Sequence, residues 1–291
     1  MDLSETGIAA GVASAQPQVS VIIPFRNAEA WVAQCCASVR QQTLADWEAL
    51  LINDGSTDNS VELAEAEARR DRRFLVLQTL RTPDQAPGPW LPRNLGIEQA
   101  RGRWIAFLDA DDLWHPLKLE RQLQLLQQQG GDLCVSASVR FDEASGLIRA
   151  CRMPPARLSC TNLKAVNPLP MSSVVVRRSL LRAMPFRPVC HEDHDLWQRL
   201  FEEQRVRYLR VEQPLMAYRM HGQNLTQGVR NRVGLKWQQW RESQRPICRT
   251  ALVVGWQQLG YWVRAQRWRW KPTTVAAAGF PTASAKQQLA G

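Results

Sequence analysis

The 291-residue chain has no run of eighteen consecutive apolar residues, and the longest apolar-leaning uncharged piece inside its folded part, residues 250–263, is too short to cross about 30 Å of hydrocarbon. A membrane-spanning helix is therefore not expected. Basic residues are missing from the first eighteen positions, which carry Asp2 and Glu5 and little apolar content beyond Ala and Val. That composition excludes a secretory signal and reads as a flexible tail over residues 1–17. The seven cysteines are odd in number and scattered apart from the adjacent Cys35 and Cys36, with no Cys-x-x-Cys. Neither a disulfide framework nor a thiolate metal site is expected, and a reducing, cytoplasmic setting is. Sixteen glycines and seventeen prolines are too few for a collagen-like or low-complexity chain. No internal repeat is visible.

Acidic residues are almost absent from one region only. Residues 1–228 hold 26 basic and 26 acidic side chains, whereas residues 229–291 hold eleven basic ones against the single acid Glu242. The net charge of +10 thus lies entirely in the last fifth of the chain, together with six of the twelve tryptophans. A chain basic throughout would suggest nucleic acid; a neutral body with a basic, Trp-rich extension does not, and no nucleic-acid partner is expected. Residues 229–273 read as helical, with Leu252, Trp256, Leu259 and Val263 on one face and arginines beside it, which suits an anionic membrane surface, the alternative being that this face packs on the body and the arginines are solvated. Residues 274–291 read as a frayed terminus.

Within the body, short apolar runs alternate with helical patterns. Strands are expected at residues 19–23 (stopped by Pro24), 47–52, 74–78 and 104–108, with helices at 28–42, 59–70, 92–100 and 116–129. Less regular strands follow near 133–137, 172–176 and 207–211, with a helix at 193–203. Such alternation predicts an α/β fold with a mostly parallel sheet. Ligands of such sheets sit beyond the carboxyl ends of the strands, which directs attention to Pro24-Phe-Arg-Asn27, Asn53-Asp-Gly-Ser56 and Asp109-Ala-Asp-Asp112. Asp54-Gly55 alone could be a plain turn with a helix cap. Three carboxylates within four residues repel one another and are tolerated where a cation sits among them. Oxygen-rich sites of that kind suit Mg²⁺ or Mn²⁺.

These segments, with Pro92-Arg-Asn-Leu-Gly-Ile97 and Glu192-Asp-His-Asp-Leu-Trp197, occur in an order that resembles family 2 glycosyltransferases of the GT-A fold, over about residues 18–227. The resemblance implies a Rossmann-like sheet flanked by helices and an inverting transfer from a nucleotide-diphosphate sugar, with a uridine donor, to a sugar or lipid-linked acceptor. It places Pro24, Phe25 and Arg26 against the nucleoside, Asp54 on the base edge, Asp109 near the ribose or metal waters, and Arg93 near the nucleotide or supporting its loop. Asp111 becomes the direct ligand of Mg²⁺ or Mn²⁺, with His221 approaching the metal or diphosphate. Asp193 becomes the catalytic base, and Glu192 and Trp197 face the acceptor, Trp197 having core packing as its alternative. The loop at residues 86–92 departs from the family in its three prolines and Trp90, which stiffen the donor side.

Other readings carry less. His191 and His194 lack the His-Glu-x-x-His spacing of a zinc protease, since Asp195 stands in the place of the second His. Nucleotidyl transfer would want a Gly-rich phosphate loop where Pro24-Phe-Arg-Asn27 stands. An inactive body serving only to bind nucleic acid or membrane through its extension is the alternative outside enzymology. Asn224-Leu-Thr226 is formally a glycosylation sequon, expected to stay unmodified.

Overall fold

The computed structural model describes residues 16–82, 84–86, 88–160, 163, 167–222 and 273–281. In chain order they form β1 (Val19–Phe25), α1 (Val32–Arg40), β2 (Trp47–Asn53), α2 (Ser60–Arg70), β3 (Phe74–Gln78), α3 (Trp90–Gln99), β4 (Trp104–Phe107), β5 (Leu113–Trp114) and α4 (Lys118–Gln129). Then come β6 (Leu133–Asp142), β7 (Ile148–Arg152), β8 (Val174–Arg177), α5 (Arg178–Ala183), α6 (Glu192–Glu203) and β9 (Tyr208–Met220). One sheet runs β3-β2-β1-β4-β8-β6-β9-β5, with β7 on the free stretch of β6.

The four N-terminal strands are parallel, and β2, β3 and β4 are each reached through a helix. The chain steps outward from β1 to β3 and then returns to place β4 on the other side of β1, so the order reverses between β1 and β4. A crevice at the carboxyl ends of those two strands follows from that reversal. Both sequence runs are buried throughout in β2 and β4, as expected of strands covered on both faces.

Beyond β4 the sheet is mixed, with β6 and β9 still parallel to each other. β8 is antiparallel to β4 and β6, β7 to β6, and β5 to β9. The cause is connectivity: β6 and β7 form a hairpin whose turn, with Gly146 at φ +65°, needs no crossover helix. Two strand limits also differ from expectation. Pro24 lies inside β1, because only alternate residues of β1 bond to β4, and the ladder to β4 has ended where the missing N–H would fall. β9 continues nine residues past the expected Val211 because Pro214 is taken up at a register shift against β6.

Helices cover both faces. One apolar cluster packs α1, α2 and α4 against the sheet around Val21, Leu51, Trp104 and Trp114. The other packs α3, α5 and α6 around Ile22, Ile105, Phe107 and Trp197. A Cβ on Gly96 would lie 2.7 Å from the side chains of Ile22 and Ile52. Only glycine there lets α3 lie flat on β1 and β2, which sets the height of Arg93 one turn earlier.

A buried polar chain fixes the segment before β8. Lys118 is fully buried, its amine pushed down to about 7 by burial, and it donates to Gln122 Oε1 (2.7 Å). The Gln122 amide donates in turn to the carbonyls of Cys134 and Ser173 (3.0 Å each). Ser172 and Ser173 consequently form a 3₁₀ turn with Met171, and β8 starts at Val174 instead of Ser172.

The last described segment corrects the expected free terminus. Ile148 N–H donates to the Thr273 carbonyl (3.0 Å), Leu147 bridges Thr274, and Val275 and Phe280 are buried with Leu113, Val139, Phe141 and Ala217. The chain leaves β9 at the same hairpin, where Glu143 N–H donates to the Met220 carbonyl (3.2 Å). The Trp-rich stretch expected to be helical, residues 229–273, lies outside the described residues up to residue 272, as do the first fifteen residues and the sequon.

Candidate active site

The three loops singled out in the sequence meet at the β1/β4 reversal. Asn27, just past β1, takes φ 51° and clips the neighbouring loop: its N–H donates to Ser56 Oγ (3.1 Å), and its Oδ1 accepts from Thr57 N–H (2.8 Å). Asp54 follows β2, and its N–H donates to the Phe25 carbonyl (2.9 Å). Its carboxylate accepts from Thr79 Oγ1 (2.7 Å) and from Arg81, with Nη2 2.7 Å from Oδ2. Arg81 also donates to the Gly88 carbonyl (2.7 Å), which ties the Pro-rich loop to the cleft. Asp54, Arg81, Arg26, Gly55, Gln78, Thr79 and Leu80 line an open cleft of about 330 Å³. Arg26 is exposed there, and Pro24 is half-buried at the strand end. Phe25 does not belong to the cleft: it is 3% exposed and packs in the core, because alternation along β1 turns it inward.

The acids after β4 have three different environments. Asp112 is 1% exposed and accepts from Ser172 Oγ (2.6 Å) and Arg219 N–H (3.2 Å). Burial, then the charges of Asp111 and Asp109, push its carboxyl well above the usual range. It is a structural post. Asp109 is likewise pushed up, by burial foremost, with Arg93 acting in the opposite direction. Asp111 Oδ2 lies 2.9 Å from His221 Nε2, and His221 stacks on Trp31 with ring centroids 4.2 Å apart. Arg219 Nε donates to the Asp111 carbonyl (2.8 Å). His221 thus lies beside Asp111, the residue expected to hold the metal.

Arg93 is the centre of the site. Its side chain is 5% exposed; Nη2 donates to Asp109 Oδ1 (2.8 Å) and Nη1 to Glu192 Oε1. The next residue, Asn94, brackets the backbone of Phe186 with two hydrogen bonds of 2.9 Å. The Arg-Asn pair on α3 therefore joins the β4 loop to the segment that leads into α6. With Nη1 and Nη2 each on a carboxylate, Arg93 ties the two loops together, and its buried Nε has no hydrogen-bond partner.

Asp193 stands in the first turn of α6, after His191 at φ 57°. Its Oδ2 accepts from Asn167 Nδ2 (2.6 Å). His194 is buried, with Nε2 against the Leu163 carbonyl and 2.9 Å from Gln198 Nε2. Trp197 is 0% exposed within the second core cluster, and burial removes it from any acceptor wall. Glu192 is committed to Arg93. Ser172, Arg219, Asn167 and Arg81 were not foreseen as site residues. Arg219 lies two residues before His221, which the resemblance did single out.

An α/β sheet with its acids gathered at the order reversal is the GT-A architecture, and known proteins place the chain more closely. Residues 20–187 match the Glycosyl transferase family 2 model. The chain belongs to that family. It is 30% identical over 194 residues to the Escherichia coli UDP-Glc:alpha-D-GlcNAc-diphosphoundecaprenol beta-1,3-glucosyltransferase WfgD, covering 65% of this chain and 71% of that one. It is 39% identical over 127 residues to the putative glycosyltransferase EpsH of Bacillus subtilis, covering 44% of this chain and 36% of that one. Among solved structures it resembles the mannosyltransferase PcManGT of Pyrobaculum calidifontis, in complex with GDP-Man and Mn²⁺, with TM-score 0.59, 16% identity and coverage of 80% and 66%. It also resembles TarS of S. aureus in complex with UDP, with TM-score 0.58, 19% identity and coverage of 70% and 60%. The chain thus spans about seven-tenths of the E. coli relative and much less of EpsH.

Proposed function

We propose that the chain transfers a sugar from a uridine-diphosphate donor to an acceptor hydroxyl with inversion, in glycan synthesis. The observation that carries this reading is Arg93, which joins the Asp109 loop to the start of α6 and so brings Asp193 to the same crevice as the acids after β4. A sugar hydroxyl is a weak nucleophile, and Asp193 takes its proton as it attacks the anomeric carbon from the face opposite the leaving diphosphate. Asn167 holds the carboxylate in place for that step.

On the donor side, Asp54 and Arg81 form adjacent acceptor and donor at one wall of the cleft. That pair matches the N3–H and O4 of uracil. Asp111 and His221 are the residues that would hold a divalent ion. Asp111 Oδ2 and His221 Nε2 lie 2.9 Å apart, and an ion held by these two side chains would draw its other ligands from diphosphate oxygens and water. Such partial coordination suits Mg²⁺ or Mn²⁺, which would neutralise the charge developing on the diphosphate. The E. coli relative's name suggests a lipid-diphosphate-linked acceptor.

A panel of nucleotide sugars incubated with protein and Mn²⁺, read as slow donor hydrolysis, tests the reading. UDP-sugars should turn over, and Asp111→Ala should weaken Mn²⁺-dependent UDP binding at least tenfold. Full activity in excess chelator would remove the metal from the mechanism.

Peripheral attachment to an anionic membrane face belongs to the same proposal and rests on sequence alone. Basic residues near such a surface add about 1 kcal/mol each, and Trp favours the headgroup layer. Among the described residues no helix is long and apolar enough to cross a membrane. A chain in which a Gly/Ser linker replaces residues 229–272, keeping the docked segment from Thr273, should lose flotation with anionic vesicles at low salt. Equal flotation would defeat the attachment.

A further inference from the structure

Residues 273–281 pack against the body of the fold, and their contacts converge on Asp111 from two sides. On one side Phe280 meets the ring of His115 edge-on, with centroids 5.6 Å apart, and packs with Leu113, two residues after Asp111. Gly279, at φ +83°, passes so close that a Cβ would lie 2.9 Å from His115 Nε2. On the other side the Pro281 carbonyl accepts from Gln34 Nε2 at 3.5 Å, while Gln34 Oε1 accepts from Arg219 Nη2. Arg219 Nε holds the Asp111 carbonyl.

The backbone of Asp111 is therefore set between β5 and Arg219, and the returning segment leans on both. β5 has two residues and, among the described residues, pairs with β9 alone. So short a strand fixes little by itself. Its outer flank is closed by Val275 and Phe280, which are 1% and 3% exposed. Nothing in the family match, which stops at residue 187, covers this segment.

We propose that residues 273–281 act as a positioning strap for the Asp111–His221 pair, so that metal-dependent donor binding requires a stretch of chain some fifty residues beyond the last strand of the sheet. Phe280 is the anchor, and Gly279 is required by the close passage over His115. The inference rests on reading Asp111 and His221 as the metal-side pair.

Two readouts separate the strap from that reading. Hydrogen exchange of the amides at 109–115 and 219–221 needs no metal; Phe280→Ala and a chain ended at residue 272 should each raise it at least tenfold, leaving β1 to β3 unchanged. Mn²⁺ binding in the presence of UDP, followed by the Mn²⁺ paramagnetic signal, should weaken about tenfold in the same variants. Gly279→Ala should act alike, and Phe280→Leu should restore most of both. Wild-type exchange in the strap variants would overturn the strap, and so would raised exchange with unaltered Mn²⁺ affinity. If the wild-type chain binds no Mn²⁺ with UDP, the metal-side reading of Asp111 falls and the strap's metal role falls with it, while the exchange data still decide whether residues 273–281 hold the loop.

Discussion

Asp193→Asn should reduce transfer by about 10³-fold or more while leaving UDP-sugar affinity within about twofold. The amide has the carboxylate's shape and can keep a contact with Asn167, which donates to Oδ2 at 2.6 Å. It cannot accept the acceptor's proton. Loss of a general base costs on the order of 10²–10⁴-fold, felt in the transition state and not in donor recognition. Donor affinity by calorimetry and turnover by product release separate the two. A variant with near wild-type turnover would remove Asp193 from the base role.

Arg93→Ala should be at least as damaging, through a different route. Its guanidinium is the cation buried between Asp109 and Glu192, with Asp193 close enough to act on both. Removing one partner of a buried ion pair costs about 3–5 kcal/mol, because the other charge remains in a poorly solvating environment. Burial already pushes the Asp109 and Glu192 carboxyls upward while Arg93 opposes it. Without the cation both rise further. A carboxyl with a raised folded pKa keeps a proton that the unfolded chain has released, so stability falls as pH rises through that window. The Tm deficit of Arg93→Ala should accordingly be larger at pH 8 than at pH 5, with activity down by about 10²-fold or more. Arg93→Lys should recover part of the stability and little activity, since one ammonium nitrogen lacks the rigid two-nitrogen fork that fixes the two carboxylates relative to each other. A deficit independent of pH would show that Arg93 acts through packing alone.

The parallel half of the fold was legible because strand and helix periodicities alternate cleanly from Val19 to Phe107. The loops carrying Asp54, Asp109 and Asp111 were legible for the same reason, since each follows a recognisable strand. Residues whose roles depend on contacts distant in sequence were not. Arg93 reaches Glu192 across ninety-nine positions, and Arg219 reaches Asp111 across more than a hundred. A local motif marks Arg93 as a site residue, but nothing local names its partner Glu192 or the bond from Arg219 to Asp111. Trp197 shows the converse: a tryptophan beside the base motif invites a role in binding, whereas its place on the inner face of α6 is fixed by the Leu196 and Leu200 pattern around it. Val275 and Phe280 sit in an Ala-rich, uncharged stretch that has no periodicity, and only their docking against the β6–β7 hairpin reveals them as core.

That hairpin has a geometric consequence for the basic stretch. Glu143 holds the chain where it departs after Met220, and Ile148 holds it where it returns at Thr273. Residues 223–272 are thus tethered at both ends, beside the Asp111–His221 pair. However it folds, its midpoint can travel no farther than half its contour, on the order of 80 Å from that hairpin. Any molecule held by the stretch is confined to the same small volume, which corresponds to an effective concentration of about a millimolar or higher at the cleft. An acceptor captured there would meet the site as a neighbour and not as a solute.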